Sequence, residues 1–240
     1  MRRRHLLATA LLASTGIAAP RAVRAAEDAV DLQLVLAIDS SSSVSMDEYY
    51  LQLEGYARAF ANPGLAEAIA ALPSGRIAVA LFEWSGPGQQ VLNFEWRILD
   101  GEASARDFAA ELALAPRLVI GGETAIGDAL AFAAALLEDA PGEPTRMVVD
   151  VSGDGSSNRG IPVSVARAEL LARGIVINGL AVINQEPGLE AYYAREVIGG
   201  PGSFVLPAGD YDDFRDVILR KLLREIGPVA DAAAPPARIR

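Results

Sequence analysis

The 240 residues contain no cysteine and one histidine, His5. Lysine also occurs once, as Lys221. Residues 1–25 read as a removable leader, so the remaining chain would carry neither Cys nor His. That excludes a Ser-His-Asp triad, a Cys-His nucleophile pair and a histidine general base. It also excludes a structural zinc site of the Cys/His kind and a disulfide framework. The polar chemistry left is carboxylate, hydroxyl, amide and guanidinium. Oxygen ligands of that kind suit a hard cation such as Mg²⁺, Mn²⁺ or Ca²⁺.

Basic charge is also scarce, with 31 Asp and Glu against 21 Lys and Arg, a net charge of −10. The leader holds five arginines and no acid, so its removal would make the chain more acidic still. Such a balance argues against nucleic acid as a partner, since phosphate needs basic patches. It argues equally against docking on anionic lipid.

No long apolar run is present either. The leader has a basic start (Arg2 to Arg4), an apolar stretch over residues 6–19 and a small-x-small site ending at Ala25. The stretch is too short and Ala-rich for a membrane span, which takes roughly 20 residues. We therefore expect a signal peptide over 1–25, cut after Ala25, and a periplasmic or secreted destination. Arg3-Arg4-His5-Leu6-Leu7 is similar to a twin-arginine signal; an ordinary Sec leader is the alternative. A short segment, 26–29, would follow.

Beyond it, strand and helix signals alternate. Apolar runs at 32–38, 76–84, 89–98, 146–152, 175–183 and 203–206 predict strands. Helical spacing predicts helices at 46–61, 65–72, 103–114, 124–139, 162–173, 188–197 and 210–225. Gly86-Pro87-Gly88 would turn the second strand into the third as a hairpin. The order predicts an α/β fold: a doubly wound, mostly parallel open sheet with one antiparallel hairpin strand and helices on both faces. One domain over 30–227 and a Pro/Ala-rich disordered tail over 228–240 complete the division.

In such folds ligands bind beyond the carboxyl ends of the strands. The loops expected there carry Asp39-Ser40-Ser41-Ser42-Ser43, then Gly121-Gly122-Glu123-Thr124, then Gly153-Asp154-Gly155. Two carboxylates and three hydroxyls around one crevice would balance a divalent cation and leave it electrophilic. Each piece has a plainer reading. The serines could form a solvated turn, with Ser45 and Glu48 as a capping box. Thr124 could be a helix N-cap, and Gly-Asp-Gly could be a turn.

Asp39-x-Ser41-x-Ser43, then Thr124, then Asp154 resembles the metal-ion-dependent adhesion site of von Willebrand factor A domains. The resemblance covers nearly the whole chain after the leader. It includes residues 121–130 and 149–155, the latter similar to a bacterial secreted subgroup of unassigned function. It implies that Ser41, Ser43 and Thr124 reach a metal directly or nearly so, and that Asp39 and Asp154 often act through water. It implies Mg²⁺, with Mn²⁺ or Ca²⁺ as substitutes, and a protein partner presenting Asp or Glu. Members usually have Thr or Ser before the last Asp; here Gly153 stands there, and its missing hydroxyl is expected to loosen the loop. In some A domains the last helix slides on ligation, and residues 210–225 occupy that place.

The function expected is an exported metal-dependent binding module, not an enzyme. One alternative is a metal-dependent hydrolase or phosphatase with Asp39 as nucleophile, though Ser41 stands where such enzymes want a second Asp. Another is a structural domain with a non-functional site. Ser40 and Ser42 are expected to add nothing specific. Asp150, inside an apolar strand, should pair with an arginine or hydroxyl, or face out at an edge. Trp84 and Trp96 read as core. Glu123 reads equally as tuning the site or as exposed. Asp210, Asp212, Asp213 and Asp216 complement a helix N-terminus.

Overall fold

The computed structural model describes residues 29–227. The leader, most of the short segment after it and the C-terminal tail lie outside the described residues. The expectations about them therefore stay expectations.

Strand β1 (Ala29–Asp39) is buried along nearly its whole length. It pairs in parallel with β2 (Ile77–Trp84) on one side and β4 (Glu143–Gly153) on the other. A strand covered on both faces reads as a continuous apolar run, as its sequence does. β3 (Gln90–Leu99) is the antiparallel edge beside β2, with register shifts near Leu81. β5 (Val176–Val182) and β6 (Val205–Ala208) extend the other side in parallel. The sheet order is β3-β2-β1-β4-β5-β6. The chain leaves β1 in one direction and later returns to β1's other flank, so the loops after β1 and β4 diverge at one edge.

Helices cover both faces. Leu32, Leu34, Leu36 and Ile38 point to one face. There they meet α1 (Met46–Phe60), α2 (Pro63–Ala70), α3 (Glu102–Leu112) and α7 (Tyr211–Ile226). Val35 and Ala37 point to the other face. They meet α4 (Ile126–Glu138), α5 (Val163–Ala172) and α6 (Leu189–Tyr192), which runs into one π-helical turn at Tyr193–Val197. Period-two alternation thus divides the core into two layers.

The expected strands and helices are all present, with shifted ends. β4 begins at Glu143 because β1 starts early enough to pair Ala29 with Glu143 and Val30 with Pro144. Pro144 is tolerated near a strand start. β6 is Val205–Ala208, two residues beyond the predicted run, its register set by Gly179 opposite Val205. The helix expected at 188–197 holds only one α turn before widening to π geometry. α4 starts at Ile126 with Ala125 as its cap residue, so Thr124 is not the N-cap. Gly174 ends α5 with φ of 74°, the left-handed stop expected of it.

Candidate metal centre

Asp39 is the last residue of β1 and is fully buried. Its Oδ1 accepts the Ser41 amide at 2.8 Å, which turns the chain back and aims the serines across the sheet edge. The Ser41 and Ser43 hydroxyls lie 3.0 Å apart, and Ser43 Oγ donates to Asp154 Oδ1 at 2.6 Å. Asp154, just past β4, also takes Gln185 Nε2 on Oδ2 at 3.4 Å. Four of the five expected residues therefore share one hydrogen-bonded group.

Thr124 is the fifth. Its hydroxyl lies 3.8 Å from where a side chain on Gly155 would begin, beside Asp154. Its amide donates to Asn158 Oδ1 at 3.0 Å, and its carbonyl takes the Asn158 amide at 2.9 Å and the Ser157 hydroxyl at 3.2 Å. The loop after β4 is thus bolted to the segment that carries Thr124. That segment needs its glycines: φ is 72° at Gly121 and 114° at Gly122. A Cβ on Gly122 would also sit 2.5 Å from Ser85 Oγ.

Several residues that hold this arrangement were not singled out from sequence. The Arg117 guanidinium donates to the carbonyls of Ser40, Ser41 and Val44, at 2.8, 3.3 and 2.9 Å, and to Ser40 Oγ at 2.8 Å. Glu83, fully buried on β2, accepts the amides of Leu118 and Val119 and the Tyr49 hydroxyl. It thereby seats the segment that presents Arg117. Gln52 of α1 donates to the Asp39 carbonyl at 3.1 Å. The one available sequence signal was Glu83 inside an apolar strand, which demands partners.

Ser40 and Ser42 are more than filler. Ser40 Oγ donates to the Val119 carbonyl at 2.7 Å, and Ser42 Oγ donates to the Gly122 carbonyl at 2.8 Å. Ser45 and Glu48 form the reciprocal capping box of α1. The serine run therefore caps a helix and, at the same time, presents Ser41 and Ser43. Gly153 also departs from the expectation of a loosened loop. A Cβ there would meet the Tyr193 hydroxyl at 2.7 Å and Asp39 Oδ2 at 2.9 Å, so the space is filled.

Electrostatics follow from burial. Desolvation first, and then the Asp154 charge, push Asp39 up to about 7. Desolvation also raises Asp154, against the Ser43 hydrogen bond. Asp39 Oδ2 is buried with no hydrogen-bond partner among the described residues. An orphaned carboxylate oxygen beside a second carboxylate is costly unless positive charge arrives. The donor set fits a hard divalent cation: two carboxylates, three hydroxyls and no nitrogen or sulfur. No group of three or more His, Cys, Asp or Glu is placed to hold a metal among the described residues. A cation here would therefore depend on the hydroxyls.

Other singled-out residues settle elsewhere. Asp150 does not meet an arginine or an edge; it forms an ion pair with Lys221 Nζ at 2.5 Å, both fully buried. It shares the α7 face with Ser152, as alternation required. Lys221 also pairs with Glu225, which accepts from Asn178. Trp84 is fully buried, and Trp96 donates to the Leu136 carbonyl. Glu123 is half exposed and pairs with Arg159 at 3.5 Å. Asp210 caps α7 by accepting the Asp213 amide.

The chain is similar in structure to proximal thread matrix protein 1 from the mussel byssus, solved with a zinc-occupied MIDAS motif. That match has 19% identity and a TM-score of 0.57, and it covers 82% of this chain and 46% of that one. A von Willebrand factor type A protein from Catenulispora acidiphila matches at 16% identity and a TM-score of 0.55, over 83% of this chain and 43% of that one. An aerotolerance-related membrane protein from Bacteroides fragilis matches at 17% identity and a TM-score of 0.51, over 81% of this chain and 99% of that one. The chain spans less than half the length of the first two. No curated protein matches the sequence. These likenesses are likenesses of fold, and the fold is that of a von Willebrand factor A domain. Residues 29–230 match the family described as protein of unknown function (DUF1194), and the chain belongs to that family.

Proposed function

We propose that this chain is an exported, single-domain binding module over residues 30–227 that captures a protein partner through a divalent cation. Asp39, Ser41, Ser43, Thr124 and Asp154 would hold the cation, with Mg²⁺ as the first candidate and Mn²⁺ or Ca²⁺ as substitutes. The observation that carries this reading is the convergence of three loops on one sheet edge, where Ser41, Ser43 and Asp154 are hydrogen-bonded beside the orphaned Asp39 Oδ2. A bound cation would supply an electrophilic position for an Asp or Glu carboxylate of the partner. The chain's own residues do the rest: Asp39 turns the serine loop, Arg117 clamps its carbonyls, and Asn158 fixes Thr124. The zinc-occupied MIDAS motif of the mussel protein and the pilus adhesin SpaC from Lactobacillus rhamnosus GG, a match at 12% identity, are in keeping with such a role.

No observation favours the hydrolase reading. An aspartate-nucleophile phosphatase would want a lysine near Asp39, and Lys221 is sealed in ion pairs on the α7 face of the sheet. No described helix is long and apolar enough to cross a membrane.

The test is capture from a cell-envelope extract in Mg²⁺. The wild-type chain should retain a partner that EDTA releases and that Asp39→Ala does not hold. Equal retention by the wild type and Asp39→Ala would count against the reading.

A further inference from the structure

Tyr193 opens the π-helical turn Tyr193–Val197 and is fully buried. π turns widen a helix by one residue and re-aim the side chains within them. Tyr192, the last residue of α6, and Tyr193, the first of the π turn, are successive tyrosines at this junction. Tyr192 takes the Ser157 amide on its hydroxyl at 3.2 Å, in the loop that holds Thr124. Tyr193 goes the other way, into a slot cut by two glycines on neighbouring strands. A Cβ on Gly179 of β5 would strike the Tyr193 ring at 2.6 Å. A Cβ on Gly153 of β4 would strike its hydroxyl at 2.7 Å and Asp39 Oδ2 at 2.9 Å. The hydroxyl and the carboxylate oxygen therefore face the same small gap, with the Trp84 ring at 3.3 Å from its centre closing the side. Neither polar atom has a hydrogen-bond partner among the described residues, and no hydrogen bond joins the two.

Burying an unsatisfied hydroxyl is unfavourable; Tyr56, Tyr193 and Tyr211 all stand so, and Tyr193 shares its gap with Asp39 Oδ2. A slot kept open by two glycines for one ring, ending at one carboxylate, indicates a specific use. We propose that Tyr193 is a positioning residue of the cation site, its hydroxyl becoming a donor to Asp39 Oδ2 when a cation is held there. This rests on the cation reading above and adds a residue to it. Asp39 would then be held from both ends, by the Ser41 amide on Oδ1 and by Tyr193 on Oδ2. Donors behind a metal-ligating carboxylate orient it, and their loss typically weakens metal affinity about 10–100-fold.

The test compares wild type, Tyr193→Phe, Gly153→Ala and the double variant. Mn²⁺ binding is followed by the electron-paramagnetic signal of the free ion, and melting is measured separately in EDTA. Tyr193→Phe should bind Mn²⁺ at least about tenfold more weakly. Its metal-free melting temperature should be unchanged or higher, since the hydroxyl removed has no partner to lose. A merely structural tyrosine would not separate these two readouts. Gly153→Ala should lower both, and Tyr193→Phe should relieve part of its melting loss by clearing the space at 2.7 Å. Wild-type Mn²⁺ affinity in Tyr193→Phe, or strictly additive melting losses, would overturn the proposal alone. No Mn²⁺ binding by the wild-type chain would overturn the cation reading together with it.

Discussion

Single residues decide whether the serine loop can present its hydroxyls. Arg117 is the clearest case. Its planar fork engages three carbonyls and one hydroxyl of residues 40–44, a geometry that a lysine ammonium does not reproduce. Arg117→Ala should cost about 1–3 kcal/mol by leaving those acceptors unmet. It should also weaken Mn²⁺ binding about tenfold or more, although Arg117 is not among the proposed ligands. Arg117→Lys should rescue little of either, as denaturant titration and metal titration would show. The proposed ligands were legible because Asp39, Ser41, Ser43, Thr124 and Asp154 all lie where strands end or helices begin, which sequence periodicity locates. Arg117 was not, because nothing local marks it; its partners come from β1's loop, brought near only by the sheet. Tyr193 escaped for a related reason: helical periodicity continues through residues 188–197, and a π turn leaves no trace in that period.

Helix α7 is tied to β4 and β5 by Lys221, Asp150, Glu225 and Asn178. Two carboxylates share one lysine in a fully buried site. Burial first, and then the Asp150 charge, push Glu225 up to about 7. Its folded-state affinity for a proton thus exceeds that of the unfolded chain. The stability it contributes is complete below about pH 4.5 and is lost as pH rises through about 7. Glu225→Gln should therefore melt higher than wild type at pH 8 and little differently at pH 4.5, while the amide can still meet Asn178. Lys221→Met should do the opposite at pH 8, costing about 3–5 kcal/mol by leaving two buried carboxylates uncompensated. A melting series over pH for both variants checks the signs. The same pairs bear on whether α7 can slide, since any axial shift must part Lys221 from Asp150. Sequence left Asp150 between an arginine or hydroxyl partner and an outward-facing edge, and the structure pairs it with a lysine instead. The reason is that Lys221 falls on the buried stripe of an amphipathic helix, where a lysine is not expected.

At the scale of the whole molecule, no disulfide contributes to stability, because the chain has no cysteine. What remains is two apolar layers flanking a central sheet, with an uncompensated pair of carboxylates at the edge where Asp39 and Asp154 meet. A ligand that binds only the folded state adds RT ln(1 + [L]/Kd), about 2.7 kcal/mol at one hundred times Kd. For a domain of this size each kcal/mol moves the melting temperature about 2–4 °C. Saturating Mg²⁺ should therefore raise melting by several degrees in wild type and leave Asp39→Ala unmoved. The fold was legible in sequence because strand and helix periods alternate cleanly from residue 32 onward. The exact strand ends were not, because pairing partners rather than local pattern set them, as Glu143 opposite Ala29 shows. Whether the three loops form one cation site is read by calorimetric titration with Mn²⁺. A single ion per chain should bind to wild type and none to a cooperatively melting Asp39→Ala; indistinguishable isotherms for the two would contradict such a site.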